Sequence, residues 1–289
     1  MKRKLKKSWP LIILIIIIII TTIGYLHFIK GYEWASWTGF NGKTIWDLLT
    51  LAIIPITIVC IASIFTEARS SVDRKIAQDL NEEKTLQSFI DKFTELLLDE
   101  HLIDAEQNSE LQAIADARTL VTLRGLNDKR KGIVISFLSS SHLISIFDDA
   151  PGPIIHLKGM DLSGIILEEE WLLGADFEEV ILRSANLKKA VLANTVLFKS
   201  DLTDANLSSA VLHKADMRMS QLINANLHGA FLQDADLSFA DLTGADLTNA
   251  DLTNVKLMGT NLTNAKITED QIKKAAGIEG LIMPDGTTK

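Results

Sequence analysis

The stretch FADLTGADLTNADLTN at 239–254 repeats every five residues, and that period constrains the fold more than any other feature of the chain. From Leu157 to Ile267 every fifth residue is apolar, 23 positions of which 20 are leucine. Five residues turn an α-helix about 140° past a full revolution, which would scatter the leucines around it. In a flat strand an odd period sends them to alternate faces. Neither element buries the series, so the backbone must bend once per repeat. The residue two before each leucine is small: of the 19 such positions from Ala175 to Ala265, 13 are Ala and the others Val, Thr or Ser.

Blocks such as ANLKK at 185–189, DANLS at 204–208, ADLTG at 240–244 and NADLT at 249–253 resemble the A(D/N)LXX signature of pentapeptide-repeat proteins. The resemblance implies a right-handed quadrilateral β-helix over 154–268, one pentapeptide per side and four per coil. Each leucine would then point inward and stack on its equivalent 20 residues later, with the small residue in the corner. Successive coils would lie about 4.8 Å apart and share backbone hydrogen bonds like neighbouring strands. Met160, Ile165, Glu170 and Val180 replace the small residue early on, so the first coil is expected to be irregular. A solenoid needs covered ends. The helix preceding APGPI (150–154) is expected to cover one. A C-terminal capping helix in ITEDQIKKAAG (267–277) covers the other, with Thr268 as N-cap, Gln271 completing a capping box and Gly277 as stop.

The N-terminal part obeys different rules. Leu11 to Ile29 and Leu48 to Phe65 carry no charge, and each is long enough to cross a ~30 Å hydrocarbon core as a helix. MKRKLKK before the first span could open a signal peptide, but the apolar run is too long, no small-residue cleavage site follows and a second span comes soon after. Lys2, Arg3, Lys4, Lys6 and Lys7 precede the first span, and Arg69, Arg74 and Lys75 follow the second. That bias predicts that both termini are cytoplasmic, and the resemblance implies a multi-pass protein of the bacterial inner (plasma) membrane. Trp9, Trp34, Trp37 and Trp46 lie near the span ends, where indoles anchor at the interface. Residues 1–65 carry a net +5 and the remainder −13, so the body should stand off an anionic leaflet.

Between the two regions the pattern is helical. Val72, Ile76 and Leu80, then Leu86, Ile90, Phe93 and Leu97, recur at helical spacing, and the first group could extend the second span as a stalk. Asn108 or Ser109 can cap a second helix and Asn127 a third. Packing of these helices on one another is favoured over a coiled coil, because Asp79 and Glu83 fall on its seam. YEW (32–34), KTIWDLLTLAIIPI (43–56), FIDKFTELLLDE (89–100) and ARTLVTLRGLNDKRKGIVISFL (117–138) are similar to segments of bacterial pentapeptide-repeat proteins anchored by an N-terminal membrane hairpin. No established activity comes with that similarity. The organisation expected is a two-helix transmembrane hairpin (1–65), a helical connector and N-terminal cap (66–153), the pentapeptide-repeat β-helix (154–268) and a C-terminal cap and tail (269–289).

Nothing in the sequence points to catalysis, a cofactor or a metal. No phosphate-binding glycine motif occurs, Cys60 is the only cysteine and SSSH at 139–142 falls in a helix with no third partner. His156, His213 and His228 fall on different sides of the coil, and Glu168, Glu169, Glu170, Glu178 and Glu179 read as a solvated charged face. Written at 20 residues per coil, one side carries Asn186, Asn206, Asn226 and Asp246 just before the leucines. Another carries Trp171, Val191, Val211 and Phe231, and its neighbour adds Val196, Phe198, Met219 and Phe239. A contiguous apolar stripe marks a contact. Three covers are open: the chain's own helices, which are favoured, a second copy, or another protein. The function expected is a non-enzymatic membrane-anchored interaction or scaffolding module at the cytoplasmic face. The alternative, implied by the resemblance, is a DNA mimic acting on a type II topoisomerase. The repeat segment's 15 acidic and 9 basic residues, interspersed on every side, weigh against that mimicry and against nucleic acid as a partner.

Overall fold

The structure is a computed structural model in which residues 18, 45–104, 109–146 and 152–289 are described, those of 45–57 and 104 by backbone alone. Two compact units divide the chain, Met1–Leu80 and Asn81–Lys289. Helix α1, Ile45–Leu98, begins in the first, runs through Pro55 and ends in the second. The first expected span, with Trp9, Trp34 and Trp37, lies outside the described residues apart from Ile18. Of the second, only the side chains from Ile58 onward are described, and Trp46 is described by backbone alone. Among the residues so described, no helix is long and apolar enough to cross a membrane.

In the second unit the repeat becomes a quadrilateral β-helix. Parallel β-bridges join residues 20 apart, one per side per coil from Asp161↔Ile181 to Asp246↔Lys266, with Lys256↔Ala276 beyond. Between coils each side exchanges three backbone bonds. On one of them Leu182 N–H donates to Asp201 O at 2.7 Å, Asp201 N–H to Val180 O at 3.0 Å and Ser184 N–H to Thr203 O at 2.9 Å. The bend is a β-turn closed three residues after each leucine, as by Ala185 N–H to Leu182 O at 3.1 Å. Its third residue adopts positive φ: Asn194, Asn224 and Asn249 suit it, and so do glycines such as Gly244. The corner then meets the next side at the small residue. Alanine fits without a polar atom, whereas the Thr195, Ser200 and Ser220 hydroxyls donate to the carbonyls of Leu192, Leu197 and Met217.

Asp or Asn just before each leucine also has a local cause. Its side-chain oxygen accepts the N–H two residues on, as in Asp201 with Thr203 at 3.1 Å, Asn206 with Ser208 at 3.2 Å and Asp246 with Thr248 at 3.0 Å. This pins the turn that follows each leucine.

The first coil departs from the expected irregularity: it bridges in register from Asp161. No earlier coil crowds its corners, so larger side chains fit, and Met160 and Ile165 are buried. Glu170 accepts a bond from Ser136 at 2.6 Å. Ser136 belongs to helix α3, Asp128–Ser140, which follows α2, Glu110–Gly125. Ser109 and Asn127 are their N-caps. The end of the coil is covered by α3 and the segment after it. Ser139 donates to Trp171 O at 3.1 Å, Ile146 N–H to Gly174 O at 2.7 Å and Asp176 N–H to Ile144 O at 2.6 Å. Ser139 and Ser140 thus spend their hydroxyls on backbone carbonyls. Helix α1 joins this cap through Phe89, Phe93 and Phe137, with ring centroids 4.5 to 6.4 Å apart. Buried Glu82 accepts Arg130 Nη1 at 3.1 Å and the Asn127 N–H at 3.2 Å.

At the other end only Glu269–Ile272, α4, is helical, shorter than the expected 267–277. Thr268 and Gln271 form the capping box, and Gln271 Nε2 also donates to Leu247 O and Ala250 O at 2.7 and 2.9 Å. The chain then resumes the coil path. Leu257 N–H reaches Gly277 O and Leu262 N–H reaches Ile282 O, both at 2.9 Å. An antiparallel Ile282↔Thr288 bridge closes the segment.

Two predictions test this construction. A β-carbon on buried Gly132 would collide with the Ile166 carbonyl oxygen, whereas one on Gly125 meets nothing within 4 Å. Gly132→Ala is expected to cost about 1–3 kcal/mol in denaturant unfolding, as overpacking does, and Gly125→Ala to cost nothing. The second concerns acid. Bonds from the Thr248 hydroxyl, Lys266 and the Thr248 N–H hold the Asp246 carboxyl at about 2, below its ordinary 3.8. A depressed folded value means the stabilisation is present above the ordinary value and lost as pH falls from there toward 2. Asp246→Asn keeps the acceptor for the Thr248 N–H, so its melting temperature should fall less steeply than that of the unsubstituted chain over this window.

Candidate protein-contact face

Bridges stack Trp171, Val191, Val211, Phe231 and Asp251 into one column on the third side of the coil. The four apolar members point outward. Trp171 is 73% exposed and Phe231 48%, with Val191 and Val211 half-buried between them. The favoured expectation, that the chain's own helices lie along this stripe, does not match the second unit, where α3 sits on the end of the coil. The reason is the open backbone edge: its polar groups need partners, and helix α3 with its serines supplies them.

The stripe also has a local cost. Its members cannot accept the N–H two residues on, and those of Leu173, Ala193, His213 and Gln233 have no protein acceptor among the described residues. The bond returns where the column reverts to aspartate, with Thr253 N–H donating to Asp251 at 3.1 Å. Such a bond is worth about 0.5–1.5 kcal/mol when buried and less at a wet surface.

The adjacent fourth side carries a second apolar group that periodicity alone does not rank. Met219 and Phe239 occupy the positive-φ corner at 58° and 62°, where a bulky residue is strained. Phe239 is 60% exposed, and its ring lies over Gly259, where a β-carbon would meet it at 2.6 Å. Met258, exposed beside Gly259, was not singled out from the sequence, although stacking at 20 residues places it below Phe198, Arg218 and Ser238. Phe198 itself is half-buried, with Lys199 Nζ 5.0 Å and Arg218 Cζ 5.4 Å from its ring centre.

The charged residues are largely paired between coils. Lys188 and Lys189 lie 3.0 and 2.7 Å from Glu168 and Glu169, and Lys158 lies 2.7 Å from Glu178. Lys256 and Lys266 reach Asp236 and Asp246 at 3.2 and 2.9 Å. The Lys188 and Asn186 bonds hold the Glu168 carboxyl below the ordinary range. His156 pairs with Asp116 at 3.1 Å and His213 lies 3.8 Å from Asp234, so the histidines do not converge. Among the described residues no cluster of His, Cys, Asp or Glu could hold a metal.

The pentapeptide repeats family model matches residues 191–229, 200–238 and 230–268, with eight copies. HetL, a pentapeptide repeat protein involved in heterocyst differentiation regulation from the cyanobacterium Nostoc sp. strain PCC 7120, is 33% identical over 47% of this chain and 70% of its own, with a TM-score of 0.28. AT2G44920, a pentapeptide repeat protein from the Arabidopsis thaliana thylakoid lumen, is 29% identical over 46% of this chain and 82% of its own, with a TM-score of 0.23. QnrB1, a plasmid-mediated fluoroquinolone resistance protein, is 18% identical over 43% and 80%, with a TM-score of 0.19. No curated protein matches the chain. The chain belongs to the pentapeptide repeat family, and its repeat segment is a right-handed quadrilateral β-helix.

Proposed function

We propose that the protein is a non-enzymatic scaffold, anchored in a membrane by its N-terminal hairpin, whose β-helix offers the Trp171–Val191–Val211–Phe231 side to a protein partner. One observation carries the contact. Four consecutive coils place apolar, outward-facing residues where the other sides mostly keep Asp or Asn, and each gives up the turn hydrogen bond. A stripe that costs local stability and that no described residue of the second unit covers is retained for what it touches. The Met219–Phe239 corner on the neighbouring side extends it, and methionine adapts to varied partner shapes.

Anchoring rests on Leu11–Ile29 and Leu48–Phe65, with Trp9, Trp34, Trp37 and Trp46 at the interfaces. Both termini would be cytoplasmic, at the plasma membrane of a bacterium. The lipid bilayer is then a partner, and no cofactor is required. Mimicry of duplex DNA is the weaker reading, because lysines pair with carboxylates one coil away and break any continuous anionic surface.

Val191→Asn with Val211→Asn tests the contact cleanly. Asparagine restores the turn acceptor and joins a ladder like Asn186–Asn206–Asn226, whose side chains bond at 3.4 and 3.3 Å. The double variant should therefore melt no lower than the unsubstituted chain, yet lose photo-crosslinking to protein from a probe placed at position 231. Unchanged crosslinking would remove the stripe as the contact. Alkaline carbonate extraction of membranes tests the anchor separately, with the full chain expected in the pellet.

A further inference from the structure

Helix α1 carries a second apolar face that the repeat does not explain. Ile58, Ile61, Phe65, Arg69, Val72, Ile76 and Leu80 follow one another at spacings of 3, 4, 4, 3, 4 and 4. That is an eleven-residue repeat of about 3.67 residues per turn, so close to the helical 3.6 that the stripe stays on one face of a nearly straight helix. From Ile58 to Leu80 it runs about 33 Å at 1.5 Å per residue. Its six apolar members are 44% to 72% exposed. Past Leu80 the same helix buries Leu86, Phe89, Phe93 and Leu96, whereas no described residue covers the upstream stripe.

The stripe crosses a change of environment. Ile58–Phe65 closes the expected second span, whereas Val72, Ile76 and Leu80 stand among Asp73, Arg74, Lys75 and Asp79. Lipid can cover the first group but not the second. The occupant must be a helix that is apolar at the level of Ile58–Phe65 and keeps one apolar face for two further turns in water. The first span is apolar throughout and is preceded by the basic MKRKLKK, so it cannot supply that face.

We infer that α1 pairs in parallel with α1 of a second copy of this chain. The parallel direction rests on the membrane reading above, which gives every copy the same orientation; the pairing face itself does not. At 100° per residue Asp73 and Lys75 flank the stripe on opposite sides, so a parallel two-fold pair sets Asp73 of one copy toward Lys75 of the other. Arg69 falls on the seam and Asp79 at its edge, at the angle of Ile61, so a heptad seam fails here and the eleven-residue spacing carries the pairing; polar residues at such positions fix register and oligomeric state at some expense of stability. The scaffold would then present two β-helices, each with its own contact side.

Single cysteines in a full-length Cys60→Ser background test this in native membranes. Val72→Cys, Ile76→Cys and Leu80→Cys lie on the stripe, while Ser71→Cys and Arg74→Cys lie on the back of the helix, where Arg74 Nε is bonded to Ser70 O at 3.0 Å. Mild oxidation should give the disulfide dimer as the main species at all three stripe positions and only traces at the other two. An antiparallel pair centred on Ile76 would separate two copies of position 72 by about 12 Å, too far for a disulfide, so linkage at 72 and 80 as well as 76 reports the parallel arrangement. Absence of dimer, equal dimer at all five positions, or adducts with a different protein would overturn the inference. Carbonate extraction of the same samples separates the two readings. Dimer in an extractable protein retains the pairing and removes the anchor, whereas monomer in an integral one does the reverse.

Discussion

The backbone bonding between coils is the interaction on which the rest of the second unit depends. Because every side pairs with the residue 20 later, equivalent positions fall into columns spaced as neighbouring strands are, near 4.8 Å. Each column is then a surface in its own right. Inward columns of leucine need only fit one another. Outward columns must either tolerate their own repetition or be varied, since like charges at that spacing repel. Several carboxylate columns are broken by lysine one coil away, as with Glu169–Lys189 and Asp246–Lys266, and where Asp216 stacks on Asp236 each has its own cation, Arg218 at 2.6 Å and Lys256 at 3.2 Å. Where no lysine is used, asparagine bonds to asparagine, as along 186, 206 and 226.

The same bonding leaves two edges that must be closed, and the chain closes them by different physical means. At the first coil a helix approaches the Ile166 carbonyl closely enough that only glycine fits at 132, and the Ser139 and Ser145 hydroxyls meet the Trp171 and Leu173 carbonyls. At the last coil the chain itself continues, with Gln271 bonding two carbonyls of the preceding coil and a short antiparallel return at Ile282. Burial of Asp176 beside the first closure raises its carboxyl above the ordinary value, opposite to the solvated aspartates further along the coil.

What was legible in the sequence follows from locality. The leucine period, the small corner residues and the caps Ser109, Asn127 and Thr268 each depend on neighbours within one turn or one repeat, so their residue types declare them. The closure of the first edge did not declare itself, because Gly132, Ser136 and Ser139 act on residues more than 30 positions away. For the same reason Met160, Ile165 and Glu170 looked like defects of the repeat when they mark its open end. The stripe residues could be ordered into a column from the sequence, but whether a helix covers them is again a long-range matter. Met219 and Phe239 could be placed, yet their strain needed the backbone angle.

In a solenoid of this regularity the consensus residue at each position is the one that best serves folding, so a departure from it has to be weighed by what it costs. Departures at the first coil face the capping helix instead of another coil, and Glu170 accepts a bond from Ser136 there. Departures toward lysine relieve repulsion. Those at Val191, Val211 and Phe231 do neither: they lie in mid-solenoid, give up the turn acceptor and leave apolar surface in water. Met219 and Phe239 add apolar exposure on the side next to them. The positive-φ corner does not discriminate, since Glu169, Lys189 and Ser209 adopt it on the asparagine-bearing side as well. What separates the third side from that one is the run of four lost turn acceptors with apolar side chains outside, a cost that Asn186, Asn206 and Asn226 avoid from coil to coil.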